Sequence, residues 1–212
     1  MDAGLPERVV ERAGRAGVSV SAVLGGQLAG YLRLLLRWNQ RMNLTGLTDD
    51  DAGIDRLLVE PLVAAEQLPC GPLRVIDVGS GGGSPAIPMR LRRPEVALRM
   101  VERKGRKAAF LREAVRHLAL TGSTVEARSY EEVGANLVEA ERADVVTVRA
   151  VRLDDAGLRA VAGLLVSGGQ LFLFERREPG GATDGAAWFE AEGCFELVES
   201  LQSRLVVLRK CG

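Results

Sequence analysis

Cysteine, histidine, aromatic residues and net charge are all scarce in these 212 residues. The three cysteines, Cys70, Cys194 and Cys211, lie far apart and form no CxxC pair, which argues against a zinc site or a disulfide framework. They read as reduced thiols of a reducing compartment. His117 is the single histidine, so a mechanism that needs two is excluded. No apolar run approaches the ~18 residues of a membrane span, and the opening stretch Met1–Gly17 has no apolar segment suited to a signal peptide. A cytoplasmic protein is expected, a monomer with no membrane partner and no metal. Without a secretion signal, the sequon Asn43-Leu44-Thr45 is accidental. Lys and Arg number 28 and Asp and Glu 28, so a uniformly basic nucleic-acid binder is disfavoured while a local basic face remains open.

What is present is apolar periodicity, and it changes character near residue 70. Before that point there is no good strand. Residues 20–42 carry apolar side chains at helical spacing, with Leu28, Tyr31, Leu32, Leu35 and Leu36 on one broad face. A second helix is predicted over 51–68, capped by Asp49, Asp50 or Asp51, kinked or restarted at Pro61 and ended by Pro69 with Gly71-Pro72. From residue 73, short apolar runs alternate with helical stretches, as in βαβ units. Strands are predicted at 73–78, 97–101, 124–127, 144–148 and 170–174, and helices at about 104–120, 131–140 and 154–166. Residues 195–201 and 204–209, joined at Gln202-Ser203, read as an antiparallel hairpin closing the sheet. Residues 176–187 read as the most mobile loop. The expected architecture is a doubly wound α/β fold. Its sheet is mostly parallel and seven-stranded, with a helical extension over 1–70 and the main domain over 71–212.

The most informative segment is Leu73 through Gly83, in which a buried strand runs straight into a glycine turn. Such a turn at the carboxyl edge of a parallel sheet is where ligands bind. A dinucleotide site wants GxGxxG, but counting from Gly79 and Gly81 the third position is Ser84, followed at once by Pro85 and Pro88. Asp77, just before the turn, suits the cationic sulfonium and ammonium of S-adenosylmethionine. Glu102, at the tip of the second strand, can accept both ribose hydroxyls. S-adenosylmethionine is the favoured cofactor. A dinucleotide, or a glycine turn with no ligand, remains as an alternative.

With these residues in place, the sequence resembles the bacterial small-subunit (16S) ribosomal RNA guanine-N7 methyltransferases, also called glucose-inhibited division protein B. The resemblance spans about residues 28–175. It is carried by Tyr31, Trp38-Asn39 and Asn43-Leu44-Thr45, then by Asp77 to Pro88, Pro94-Glu95, Glu102, Gly105 to Leu111, Glu131-Glu132 and Val148 to Val151. It implies a Rossmann-like methyltransferase whose cofactor touches Gly79, Ser84, the backbone near Tyr130-Glu131, and Arg149, with Tyr130 able to stack on adenine. The chain departs from the pattern in four places. Ser84-Pro85-Ala86 stands for Phe-Pro-Gly, and Leu57 to Leu62 for a stretch with His and Asp-Ser-Leu. Arg128 is a shifted arginine, and Phe174-Glu175 replaces an ending in Lys-Gly.

Residues 90–116 hold ten cations, Arg90, Arg92, Arg93, Arg99, Arg103, Lys104, Arg106, Lys107, Arg112 and Arg116, against Glu95, Glu102 and Glu113. Of these, Arg103, Lys104, Arg106 and Lys107 are the candidate RNA contacts, through phosphates. The expected partner is 16S ribosomal RNA or the small ribosomal subunit. Guanine N7 has a lone pair and no proton, so its methylation needs alignment more than acid–base chemistry. Asn39 and Arg149 are the candidate catalytic positioning groups. A small-molecule methyltransferase, motivated by Ser84, Ala86 and Glu175, and a non-catalytic cofactor- or RNA-binding protein are the alternatives. Glu175 is expected to pair with Arg176, Arg177 or Arg149.

Overall fold

Five parallel strands run β1 (Arg74–Val78), β2 (Ala97–Val101), β3 (Ser123–Glu126), β4 (Ala143–Arg149) and β5 (Leu165–Arg176). Two further strands, β6 (Phe189–Val198) and β7 (Ser203–Lys210), complete the sheet. The order is β3-β2-β1-β4-β5-β7-β6, with β7 antiparallel to both β5 and β6. The computed structural model describes residues 4–176 and 187–212. The loop expected at 176–187 therefore lies, apart from its two ends, outside the described residues. The expected seven-stranded sheet with its closing hairpin is found. β5 extends well beyond the five residues predicted for it: it begins at Leu165, opposite Ala143 of β4, and after a register shift runs from Gln170 to Arg176 beside β7.

The strands alternate between two apolar layers, as a strand period of two requires. Val75, Val145, Phe172 and Phe174 face one layer, while Ile76, Val146, Leu171 and Leu173 face the other. The second layer is covered by α7 (Tyr130–Asn136) and α8 (Asp155–Leu164) through Val133, Val161 and Leu164. The first layer is covered by α5 (Ala86–Arg92), α6 (Gly105–His117) and the N-terminal helices. These are α1 (Leu5–Arg15), α2 (Ala22–Met42), α3 (Asp51–Ile54) and α4 (Glu60–Ala65). Leu28, Leu32 and Leu35 of α2 are buried in the same core as Phe110 and Phe172. Among the described residues no helix is long and apolar enough to cross a membrane.

Three helical regions differ from the sequence reading. α1 and α5 are helices that the periodicity did not mark. α5 carries Pro88 in its first turn, where a missing N–H costs no helical bond. The single helix expected over 51–68 is three pieces. Asp50 caps α3, accepting from the Gly53 N–H at 2.7 Å. A π turn over Asp55–Val59 then leads into α4, where Glu60 N–H reaches back to the Asp55 carbonyl. Pro61 explains the rest. It has no N–H, so the Leu57 carbonyl four residues earlier lacks its helical donor. The π turn has already drawn the Glu60 N–H to Asp55, so the Arg56 carbonyl is free as well.

Both carbonyls are used to dock the N-terminal helices on the sheet. Ser84 Oγ donates to Leu57 O at 2.6 Å, and Arg149 Nη1 donates to Arg56 O at 2.8 Å. Tyr31 of α2, fully buried, adds a third tie by donating to Gly82 O at 2.6 Å. Removing the Ser84 hydroxyl would leave Leu57 O unpaired. In urea unfolding, Ser84→Ala should therefore cost about 1–3 kcal/mol. In a Pro61→Ala background the restored N–H can serve the same carbonyl, and the cost should fall by half or more. Equal costs in both backgrounds would contradict this account.

Candidate active site

The glycine turn after β1 begins at Gly79, whose φ is +69°. A Cβ there would lie 2.6 Å from Val151 Cγ2, so only glycine fits. Val151 is brought over the turn because Ala150, at φ 58°, bends the chain sharply as β4 ends. Two clefts meet at Gly79 and Val151. The first, of about 280 Å³, is lined by Val78, Glu102, Arg103, Lys104, Ser129, Tyr130 and Glu131 among others. The second, of about 300 Å³, is lined by Leu35, Leu44, Thr45, Leu47, Arg56, Ser84, Lys107 and Arg149, with the glycine turn as its floor.

Asp77 and Thr147 are opposite partners on β1 and β4, on the face covered by the N-terminal helices. Thr147 Oγ1 donates to Asp77 Oδ1 at 2.6 Å, while Asp77 Oδ2 is buried without a hydrogen-bond partner. Burial pushes the Asp77 carboxyl up to about 6, against the hydrogen bonds and the Arg149 charge that pull it down. Glu102 ties the turn to α6, accepting from the Gly81 N–H at 3.0 Å and from the Lys104 N–H at 2.7 Å. Tyr130 opens α7, where Ser129 and Glu132 form a capping box that fixes the helix start on the rim of the first cleft. Glu131, beside it, is exposed.

Arg149 is the central side chain. Its two terminal nitrogens hold Arg56 O and Ser84 O at 2.8 and 2.7 Å, and Glu60 Oε1 lies 3.9 Å away. Glu60 is fully buried and also accepts from Arg56 at 2.5 Å. Burial raises the Glu60 carboxyl pKa, with Arg56 and Arg149 opposing it. Arg149 thus acts on the turn and the π segment as a positioning residue. Asn39 does so at one remove. Its Oδ1 accepts from Leu44 and Thr45 N–H at 2.7 and 2.9 Å, and its Nδ2 donates to Thr45 O at 2.8 Å. It shapes the wall of the second cleft without being among the residues that line it.

The ten cations of residues 90–116 separate into two groups. Arg92, Arg93, Arg99 and Arg116 pair with Glu66, Glu95, Glu141 and Glu113, and Arg90 and Arg112 donate to backbone carbonyls. Arg103, Lys104, Arg106 and Lys107 make no ion pair among the described residues. The first three are exposed beside the first cleft, at or before the start of α6, whereas Lys107 is half-buried in the second cleft. Glu175 is ion-paired, as expected: it faces Arg204 across the β5–β7 pair and accepts from it at 2.9 Å. Of the three partners expected for it, Arg177 lies outside the described residues. A sequence reading that searched only nearby arginines could not find this contact.

Arg56 and Thr147 were missed. A threonine within the apolar run of β4 was a usable signal for a buried polar pair, but nothing in the sequence marked Arg56. A larger cleft, about 710 Å³, lies between α1 and the β6–β7 hairpin. Arg12 is bound by Asp51 and Asp55, and Ser200 Oγ donates to Asp55 at 2.9 Å.

The raised Asp77 pKa sets a pH dependence. The folded value lies above the ordinary value of 3.8, so Asp77 adds stability below about pH 4 and loses it as pH rises through about 6. Between pH 4 and pH 7 the urea stability of Asp77→Asn should improve on the parent's by roughly 2 kcal/mol. A difference that stays flat over this range would contradict the burial assigned to Asp77.

Comparison with known proteins follows the same lines. The family model described as rRNA small subunit methyltransferase G matches residues 25–179. A protein of Chloroflexus aggregans named ribosomal RNA small subunit methyltransferase G is 38% identical over 163 residues, 77% of this chain and 68% of that one. A protein of the same name from Roseiflexus sp. is 41% identical over 125 residues, 59% of this chain and just over half, 53%, of that one. Among solved structures, a mutant of MtNAS in complex with S-adenosylmethionine shares the fold at a TM-score of 0.55 and 14% identity, covering 99% of this chain and 74% of that one. By the extent of the family match and the identity to these relatives, the chain belongs to the rRNA small subunit methyltransferase G family.

Proposed function

We propose that the protein transfers a methyl group from S-adenosylmethionine to N7 of a guanine in 16S ribosomal RNA, free or within the small subunit. It acts in the cytoplasm, as a monomer and without a metal. The observation that carries this reading is the meeting of two clefts over Gly79, on a chain of this family. The residues present fit the cofactor. The backbone of Gly79 lines both clefts, and the orphan oxygen of Asp77 puts negative potential beneath a cationic group. A solved structure of the same fold also holds S-adenosylmethionine.

When bound, the cofactor supplies an activated methyl on a cationic sulfonium. Glu102 lines the first cleft, where its remaining lone pairs can accept ribose hydroxyls, and Tyr130 presents a ring for adenine to stack on. Gly79, Ser84, Tyr130-Glu131 and the turn held by Arg149 form the cradle. The second cleft receives the target base between Leu35, Leu44 and Thr45 of the helical extension and the glycine turn. Neither carboxylate nor histidine lines it among the described residues, which suits a nucleophile with no proton to lose. Transfer of that methyl to N7 would shift positive charge from the cofactor's sulfur to the purine, and the chain would contribute alignment and a fixed electrostatic setting. Arg103, Lys104 and Arg106 give the phosphate contacts. Glu175, paired with Arg204, no longer argues for a cationic small substrate.

The test is incubation with methyl-labelled S-adenosylmethionine and small subunits from cells lacking this gene, followed by digestion of the RNA to nucleosides. Label should appear in N7-methylguanosine. Reversing Arg103, Lys104 and Arg106 to Glu should lower RNA affinity and reduce the slope of log affinity against log salt by about 2–3. Label in no ribosomal RNA, under conditions where the cofactor binds, would overturn the reading.

A further inference from the structure

The second cleft contains three cations, Arg56, Lys107 and Arg149, and their surroundings differ sharply. Arg149 is committed to two carbonyls, and Arg56 to Glu60. Lys107 has neither an ion pair nor a hydrogen bond among the described residues, although it is half-buried. It projects from the first turn of α6, a turn that holds no acidic residue, and its Nζ lies 3.9 Å from where a Cβ on Gly81 would sit. A lysine with no protein partner, held over the floor of a cleft, is placed to meet an anion bound there. Its position separates it from Arg103, Lys104 and Arg106, which are exposed beside the other cleft.

We propose that Lys107 binds the α-carboxylate of the cofactor's methionine moiety, and is therefore a cofactor residue and not an RNA contact. The inference rests on the reading that S-adenosylmethionine spans the two clefts. With the nucleoside between Glu102 and Tyr130, the amino-acid end crosses Gly79 into the second cleft. That end carries one anion and one cation. Lys107 attracts the carboxylate, while the ammonium is driven to the opposite side, toward the negative potential of Asp77. The two charges of the head group are sorted by residues on opposite sides of the glycine turn, and the methyl is left facing the target base.

Two ligands separate this role from the others. S-adenosylhomocysteine keeps the amino-acid end, and 5′-methylthioadenosine lacks it. In calorimetric titrations, Lys107→Met should weaken S-adenosylhomocysteine about tenfold or more, the scale of one charge-assisted hydrogen bond. The same variant should bind 5′-methylthioadenosine within about twofold of the parent, and Lys107→Arg should recover most of the loss. Unchanged S-adenosylhomocysteine binding with weaker RNA binding would overturn the proposal in favour of an RNA contact. Equal weakening of both ligands would overturn it in favour of a structural role. If the parent bound neither ligand, the cofactor reading itself would fail, a result distinct from either.

Discussion

A buried guanidinium holds this molecule's working parts in register. Arg149 ends β4 inside the protein, where an unpaired cation would be severely penalised. It is stabilised by the carbonyls of Arg56 and Ser84 and by the nearby carboxylate of Glu60. Burial lowers its pKa, and Glu60 is the leading opposing influence. The carbonyls of Arg56 and Leu57 exist as free acceptors only because the second helix is interrupted. The π turn releases the Arg56 carbonyl, and Pro61 releases that of Leu57 for Ser84. A regular helix would have consumed both. The irregularity between α3 and α4 is therefore the means by which the helical extension grips the glycine turn.

This has a consequence for how the N-terminal helices and the sheet relate. Tyr31, Ser84 and Arg149 all cross between them, and Asn39 folds the Leu44–Thr45 turn against the same cleft. The helices cover one apolar layer of the sheet and simultaneously supply one wall of the second cleft. In the proposed reading, target-base binding and cofactor binding share the glycine turn as a common boundary. A reaction that depends on a straight line between sulfur, methyl carbon and nitrogen is well served by a boundary held from both sides.

Much of this was legible in the sequence. The alternation of strands and helices after residue 73 gave the sheet, because parallel strands buried on both faces read as short apolar runs. Asp77, Gly79 and Glu102 stood out because glycine and isolated acids are uncommon at strand ends without a reason. The broken second helix was only half legible. Pro61 signalled an interruption, yet a π turn depends on which carbonyls find tertiary donors, and Ser84 and Arg149 are far away in sequence. The same long range hid the Glu175–Arg204 pair, which arises from strand register. Charge counting along residues 90–116 found the basic stretch but could not sort it. That division depends on where glutamates from other elements fall, and they reach Arg92 and Arg99 but not Arg103 or Arg106.

The central claim is that the cofactor lies across the two clefts that meet at Gly79. A crystal structure of the complex with S-adenosylhomocysteine tests it directly. The account predicts adenine against Tyr130, ribose hydroxyls on Glu102, and the sulfur over Gly79 facing the cleft lined by Leu35 and Thr45. A ligand seated away from the glycine turn, for instance in the larger cleft between α1 and the β6–β7 hairpin, would contradict it.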